Sequence, residues 1–106
     1  MGGGLMRLFH NPRCSKSREC LTLLEGREFE VVLYLDTGLE EAMLSDLIER
    51  FIDPLPDLIR IDFRGEPEHL IQMLLEDPSI LQRPLLDDGQ RVMVCRPPER
   101  ALEWFS

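Results

Sequence analysis

Apolar positions fall into short runs near both ends of the chain and into helical stripes between them. Leu5–Phe9 is an apolar run of strand length; a polar loop follows, then a helical pattern from about Lys16 to Glu25 that Gly26 stops. Phe29–Tyr34, dense in β-branched and aromatic residues, reads as a second strand. The opening is therefore β-α-β, whose strands should be parallel with a right-handed crossover. Thr37 and Gly38 introduce an acidic helix from about Leu39 to Phe51, with Leu44, Leu47, Ile48 and Phe51 on its apolar stripe. Asp53-Pro54-Leu55-Pro56 breaks that helix. A short helix at Asp57–Arg60 and another from about Pro67 to Glu76 complete a helical middle section, which Asp77-Pro78 closes.

The last third returns to strands. Leu85-Leu86, the turn Asp87-Asp88-Gly89-Gln90 and the run Arg91–Val94 read as a hairpin, because apolar flanks surround an Asp-Gly turn. A closing helix from about Pro98 to Phe105 opens with proline in its first turn and presents Leu102 and Phe105. The predicted order is β-α-β, helices, β-β-α, an α/β chain.

The 106 residues suit one small domain that buries a core without cross-links, expected over residues 5–106 behind a flexible leader of residues 1–4. No apolar run approaches the ~20 residues of a membrane helix. The start lacks both a charged n-region and a long apolar h-region, so a cytoplasmic location is expected. Net charge is −8, and of twelve basic residues only Lys16 is a lysine. An acidic chain without a basic run is a poor nonspecific nucleic-acid binder, since phosphate contacts supply most of that affinity. Any anion site must be built locally, from arginines set against a repulsive background.

Cys14, Cys20 and Cys95 match no zinc spacing and no two-bridge framework, which points to a reducing compartment. Ser17 stands where a Cys-x-x-Cys motif would place its second thiol. Cys20 follows Cys14 by six residues, about 9 Å along a helix at ~1.5 Å per residue, beyond the ~7 Å limit for a disulfide. With Leu21 and Leu24 it falls on one helical stripe and reads as a core residue. Cys95 adjoins Arg96 in a predicted strand, so if Arg96 faces a site, Cys95 faces away.

Cys14 is different. It lies directly after the first strand and directly before a helix, where unpaired backbone N–H groups and the helix dipole favour thiolate over thiol. The same N–H groups can hold an oxyanion. Guanidinium groups neutralise such an anion with paired hydrogen bonds and stay charged at any working pH. His10, four residues earlier, can favour the thiolate if protonated or relay a proton. Ser15 and Ser17 can cap the helix or donate to the anion. Asn11 and Pro12 shape the turn, and His69 sits in a polar helix with no motif around it.

The loop His10-Asn11-Pro12-Arg13-Cys14-Ser15-Lys16-Ser17-Arg18 is followed in order by Asp57-Leu58-Ile59-Arg60, Gln82-Arg83-Pro84-Leu85 and Cys95-Arg96-Pro97-Pro98-Glu99. This series resembles the glutaredoxin-linked arsenate reductases over roughly residues 5 to 105. The resemblance implies a thioredoxin-like fold with a mixed four-stranded sheet and a helical insert. Its proline before the third strand, usually cis and beside the nucleophile, corresponds to Pro84. Cys14 would be the nucleophile, with His10 tuning it. Arg60, Arg83 and Arg96 would bind the oxyanion with Ser15, Ser17 and Arg18, the last two also supporting the loop. The resemblance implies arsenate or another oxyanion as substrate, glutathione as cosubstrate, glutaredoxin as partner, and no bound metal or organic cofactor. A monomer with no nucleic-acid or membrane partner is expected.

Two features depart from the better-studied arsenate reductases. Ser15 and Lys16 stand where those enzymes have glycine and threonine, and the interval from Arg60 to Arg83 is shorter. Two other functions fit the same residues. One is a redox-responsive protein-binding regulator, like related proteins that contact RNA polymerase. The other is a glutathione-dependent thiol transferase in which Cys14 accepts glutathione from mixed disulfides.

Overall fold

Alternation along three-residue strands sets the two faces of a four-stranded sheet. The computed structural model describes residues 6–105; the expected leader, Leu5 at the head of the first strand, and Ser106 lie outside the described residues. Strand β1 (Arg7–Phe9) is followed by helix α1 (Ser15–Leu23), strand β2 (Glu30–Val32), a one-turn helix α2 (Tyr34–Thr37) and helix α3 (Glu41–Arg50). Helix α4 (Pro67–Glu76) precedes the hairpin of β3 (Leu85–Asp87) and β4 (Val92–Val94). The strand order is β2-β1-β3-β4. β1 pairs parallel with β2 and antiparallel with β3, and β3 pairs antiparallel with β4. The expected α/β class and mixed four-stranded, thioredoxin-like sheet are present.

Successive strand residues enter opposite cores. Phe9, Leu85 and Val94 join α3 and α4 in one apolar cluster, whereas Leu8, Leu86 and Met93 join Cys20 and Leu24 of α1 in the other. Full burial of each such leucine contributes about 1.5–3 kcal/mol, so the two clusters drive folding while the strands mainly set register.

Several boundaries differ from the sequence expectation. The second strand ends at Val32 rather than Tyr34, because Asp36, Thr37 and Gly38 donate back to the carbonyls of Leu33 and Tyr34 and wind the chain into α2. The expected helix at Asp57–Arg60 is a 3-10 turn at Leu55–Leu58, set by Pro56 in its first positions. Arg60 lies beyond it, in an extended stretch where its N–H donates to Ile80 O at 2.8 Å. The closing helix over Pro98–Phe105 is 3-10, not α. Its amphipathic stripe was legible, but that stripe does not distinguish the two windings over eight residues. Helix α4 matches its expected bounds.

Two carboxylates fasten the sheet, one at its centre and one at the β4 edge. Asp87, 1% exposed, receives Arg7 of β1 and Arg50 of α3 while also accepting the Gly89 N–H of the hairpin turn. Gly89, at φ 95°, supplies a conformation that a side chain would strain. Asp53 covers the outer edge of β4, accepting Val94 N–H at 3.0 Å and both Arg100 terminal nitrogens at 3.1 Å. The β2 edge is different, with Val31, Leu33 and Leu35 exposed beside it.

Burial raises the Asp87 carboxyl's pKa, but the hydrogen bonds from Arg50, Arg7 and Gly89 outweigh it and hold the pKa below the usual carboxylate value. A depressed carboxylate contributes stability that is present above its unfolded pKa of about 4 and lost as pH falls further. Asp87→Asn is expected to lower unfolding free energy at pH 7 by about 3 kcal/mol, because it strands two arginines on one partner. Urea denaturation measures this, and a loss below 1 kcal/mol would show that the cluster does not hold β1, β3 and α3 together.

Candidate active site

Asn11 and Pro12 turn the chain between β1 and α1. Asn11 is buried; its Oδ1 accepts the Arg13 N–H and its carbonyl accepts the Cys14 N–H, both at 3.0 Å. The Ser17 hydroxyl locks this turn from inside, accepting the Asn11 N–H at 3.0 Å and pairing with His10 Nδ1 at 2.7 Å. The hydroxyl that accepts from Asn11 has its proton to offer Nδ1, the arrangement that goes with the ring proton on Nε2. Arg18 closes the loop from outside by donating to Pro12 O at 2.9 Å.

These contacts define what the loop side chains do. Ser17 is fully buried, and its hydroxyl is occupied inside the loop, neither capping the helix nor reaching outward to an anion. Arg18 likewise ties the loop. Ser15 begins α1 exposed, and the N-cap position belongs to Cys14, which makes no side-chain cap. Desolvation, then the nearby Arg18 charge, lowers the His10 pKa. The imidazole is therefore neutral at working pH, and its contact to the rest of the loop runs through Ser17 rather than through a charge on the thiol.

Cys14 sits at the N-terminus of α1 in extended conformation, half-buried. Burial alone raises a thiol's pKa. Here it is outweighed by the Ser17 N–H, the Arg83 side chain, the Lys16 N–H and the Arg83 charge, so the Cys14 thiol lies below its ordinary value. The strand-to-helix placement thus does what the sequence pattern implied, with an arginine from 69 positions later in the chain added by the fold.

Arg83 precedes β3, and its bond to Pro84 is cis, as is Arg96–Pro97. Its Nη1 donates to Ser79 O at 3.2 Å while the guanidinium reaches Cys14. Arg96 donates to the Arg83 carbonyl at 2.8 Å. Arg96 also lines a cavity of about 240 Å³ with Asp53, Gln82 and Arg100. Arg60 is exposed and acts at a distance, through its charge on Tyr34. Arginines 7, 50, 91 and 100 are paired with carboxylates, whereas among the described residues Arg60, Arg83 and Arg96 are not. A second cavity, about 370 Å³, opens between His10–Arg13 of the loop and Leu33, Leu35 and Asp36.

Tyr34 was missed by the sequence pattern, which placed it at the end of a strand. It is the chain's one tyrosine, it closes an apolar run, and it is fully buried. Burial raises its hydroxyl's pKa, against the pull of the neighbouring Arg83 guanidinium. Cys20 and Cys95 lie together in the core behind α1, both fully buried and in thiol–thiol contact. The expected strand stops at Val94, so Cys95 and Arg96 lie beyond β4 rather than within it; Cys95 is buried and Arg96 exposed all the same. No cluster of residues able to hold a metal occurs among the described residues.

Two variants check this geometry. The alkylation rate of Cys14 against pH is expected to show a midpoint below the ordinary thiol value, and Arg83→Gln should move it upward; an ordinary midpoint that the variant leaves in place refutes the charge balance. Ser17→Ala strands the His10 Nδ1 and Asn11 N–H groups and should cost about 1–3 kcal/mol by thermal denaturation, whereas wild-type stability would show that another contact fixes the loop.

A family model for the ArsC family matches residues 9–104. An uncharacterized protein of Escherichia coli K12, YfgD, is 38% identical, with 92% of this chain and 94% of that one aligned. A Neisseria meningitidis protein named arsenate reductase is 34% identical over 89% of this chain and 92% of its own. Among solved structures, the arsenate reductase from Vibrio cholerae superposes with a TM-score of 0.84 at 29% identity, covering 95% of this chain and 98% of that one. Together with the cysteine at the head of α1 and the arginine beside it, these matches show that the chain belongs to the ArsC family.

Proposed function

We propose that this protein reduces arsenate to arsenite with Cys14 as nucleophile. The observation that carries the proposal is the Cys14 thiol, held below its ordinary pKa at the N-terminus of α1 with the Arg83 guanidinium beside it. A nucleophile that attacks a polyanion needs that anion's charge neutralised at the point of attack, and an arginine without a carboxylate partner supplies this. The names carried by relatives in the family favour arsenate over other oxyanions.

In the proposed cycle the Cys14 thiolate condenses with arsenate, forming a sulfur–arsenic bond while one arsenate oxygen leaves as water. Glutathione then condenses with the adduct, releasing a second water and giving an arsenic atom that bears both sulfurs. A glutaredoxin thiol attacks the glutathione sulfur; the arsenic–sulfur bond breaks toward arsenic, whose two-electron reduction to the arsenite level matches the oxidation of two thiols to a glutaredoxin–glutathione disulfide. Hydrolysis of the remaining bond returns Cys14 and frees arsenite. Arg60, Arg83 and Arg96 contribute cationic charge around the anion, with Ser15 at the exposed first position of the helix. His10, Ser17 and Arg18 hold the loop that aims the helix N-terminus. Pro84 shapes the corner from which Arg83 reaches in. Glutathione and glutaredoxin supply the electrons, and no resident cofactor takes part.

Arsenite formation from arsenate, glutathione and glutaredoxin by the purified protein tests this directly. Turnover is expected, and Cys14→Ser should reduce it at least a thousandfold. Absence of turnover while Cys14 still alkylates rapidly would refute arsenate reduction. Rapid glutathionylation and deglutathionylation of Cys14 under those conditions would identify a thiol transferase instead.

A further inference from the structure

Buried polar groups find partners in folded proteins, and each exception calls for a physical cause. Among the described residues, two buried side-chain polar atoms lack a hydrogen-bond partner: Tyr34 Oη and Arg83 Nε. They are not scattered. The Arg83 guanidinium points its donors toward the Tyr34 oxygen without closing a well-formed bond, and the charges of Cys14 and Arg60 act on that same hydroxyl. Tyr34 is 0% exposed and its ring belongs to the apolar cluster under α3 and α4. A phenylalanine would fill that volume without stranding a hydroxyl, so packing gives no reason for the oxygen.

The chemistry of the two atoms defines what they lack. Nε–H of arginine can only donate, and a tyrosine O–H donates readily. Arg83 Nη1 is already committed to Ser79 O. The Tyr34 oxygen can accept from the guanidinium beside it, but its own O–H proton, next to a nucleophilic thiol, has no acceptor, and an oxygen brought by a ligand supplies one. A tetrahedral oxyanion offers several oxygens at once, enough to serve Tyr34, Arg83 and the N–H groups at the head of α1. We propose that the Tyr34 hydroxyl is a substrate-binding donor of this site, contacting one oxygen of the bound oxyanion beside Arg83. This rests on the oxyanion reading of the Cys14 site and adds to it a neutral contact, where the arginines supply charge. Because burial keeps the phenol protonated, it remains a donor wherever the thiolate is formed. The Cys14 thiol is set chiefly by burial, the Ser17 and Lys16 N–H groups and Arg83, so loss of the neutral Tyr34 hydroxyl should leave its titration close to where it was.

Tyr34→Phe isolates the hydroxyl. The measurement is the rate of Cys14 alkylation by iodoacetamide at increasing inorganic phosphate, which occupies an oxyanion site without reacting with the thiol. Wild-type protein is expected to be protected at millimolar phosphate and the variant to need about tenfold more, a change of about 1.4 kcal/mol. The pH midpoint of alkylation should stay in place and the melting temperature should hold or rise, since a stranded polar group has been removed. Equal protection of the two proteins overturns the assignment, as does a fall in melting temperature with unchanged protection, which makes the hydroxyl structural. A shifted alkylation midpoint with unchanged protection overturns it too, by placing the hydroxyl on the thiol. If phosphate fails to protect even the wild type, there is no oxyanion site and the proposed function falls with the assignment.

Discussion

One buried hydroxyl ties the turn between β1 and α1 from inside. Ser17, inside the first turn of the helix, reaches back to the backbone of Asn11 and the ring of His10, so that strand end and helix start are fixed to each other through a buried oxygen. Everything at the site follows from that tie. It aims the N–H groups of Lys16 and Ser17 at the Cys14 sulfur, which with Arg83 hold a half-buried thiol below its ordinary pKa. Desolvation works against the thiolate, and only oriented N–H groups together with a nearby guanidinium reverse it.

The distribution of arginines carries the second constraint. In a chain of net charge −8, the cations that meet a carboxylate are used for architecture: Asp87 gathers Arg7 and Arg50 across the sheet, and Asp53 fastens Arg100 over the edge of β4. Arg83 and Arg96 hydrogen-bond to backbone carbonyls instead, through single nitrogens. Carbonyl contacts position a guanidinium while leaving its charge and its other donors available. The same side chain type thus serves two ends, separated by whether an acid stands opposite.

Much of the site was legible along the chain because it is local. The apolar run before Cys14 and the helical stripe after it are enough to put the thiol at a helix N-terminus, and the pairing of Arg83 with Pro84 is visible as a dipeptide. The roles within the loop were less legible. Ser17 and Arg18 carry the right chemistry for an anion, but the fold directs one inward to His10 and the other to Pro12 O. The protonation of His10 was likewise open, since loop position brings it near Cys14 while burial, a property of the packed chain, keeps it neutral.

The sequence by itself determined the β-α-β opening with its parallel strands, the hairpin and the place of Cys14 at the head of a helix, since each depends on periodicity or on neighbours within a few residues. Tertiary structure decided what depends on distance in the chain: the Arg83 guanidinium against Cys14, the burial of Cys20 against Cys95, and the convergence of Asp87 with two arginines from different elements. Tyr34 shows the limit most directly. Its apolar neighbours Val31, Leu33 and Leu35 are exposed, so both the burial of its ring and the place of its hydroxyl are set by α2, Arg83 and Cys14 meeting in space, and no pattern along the chain encodes that meeting.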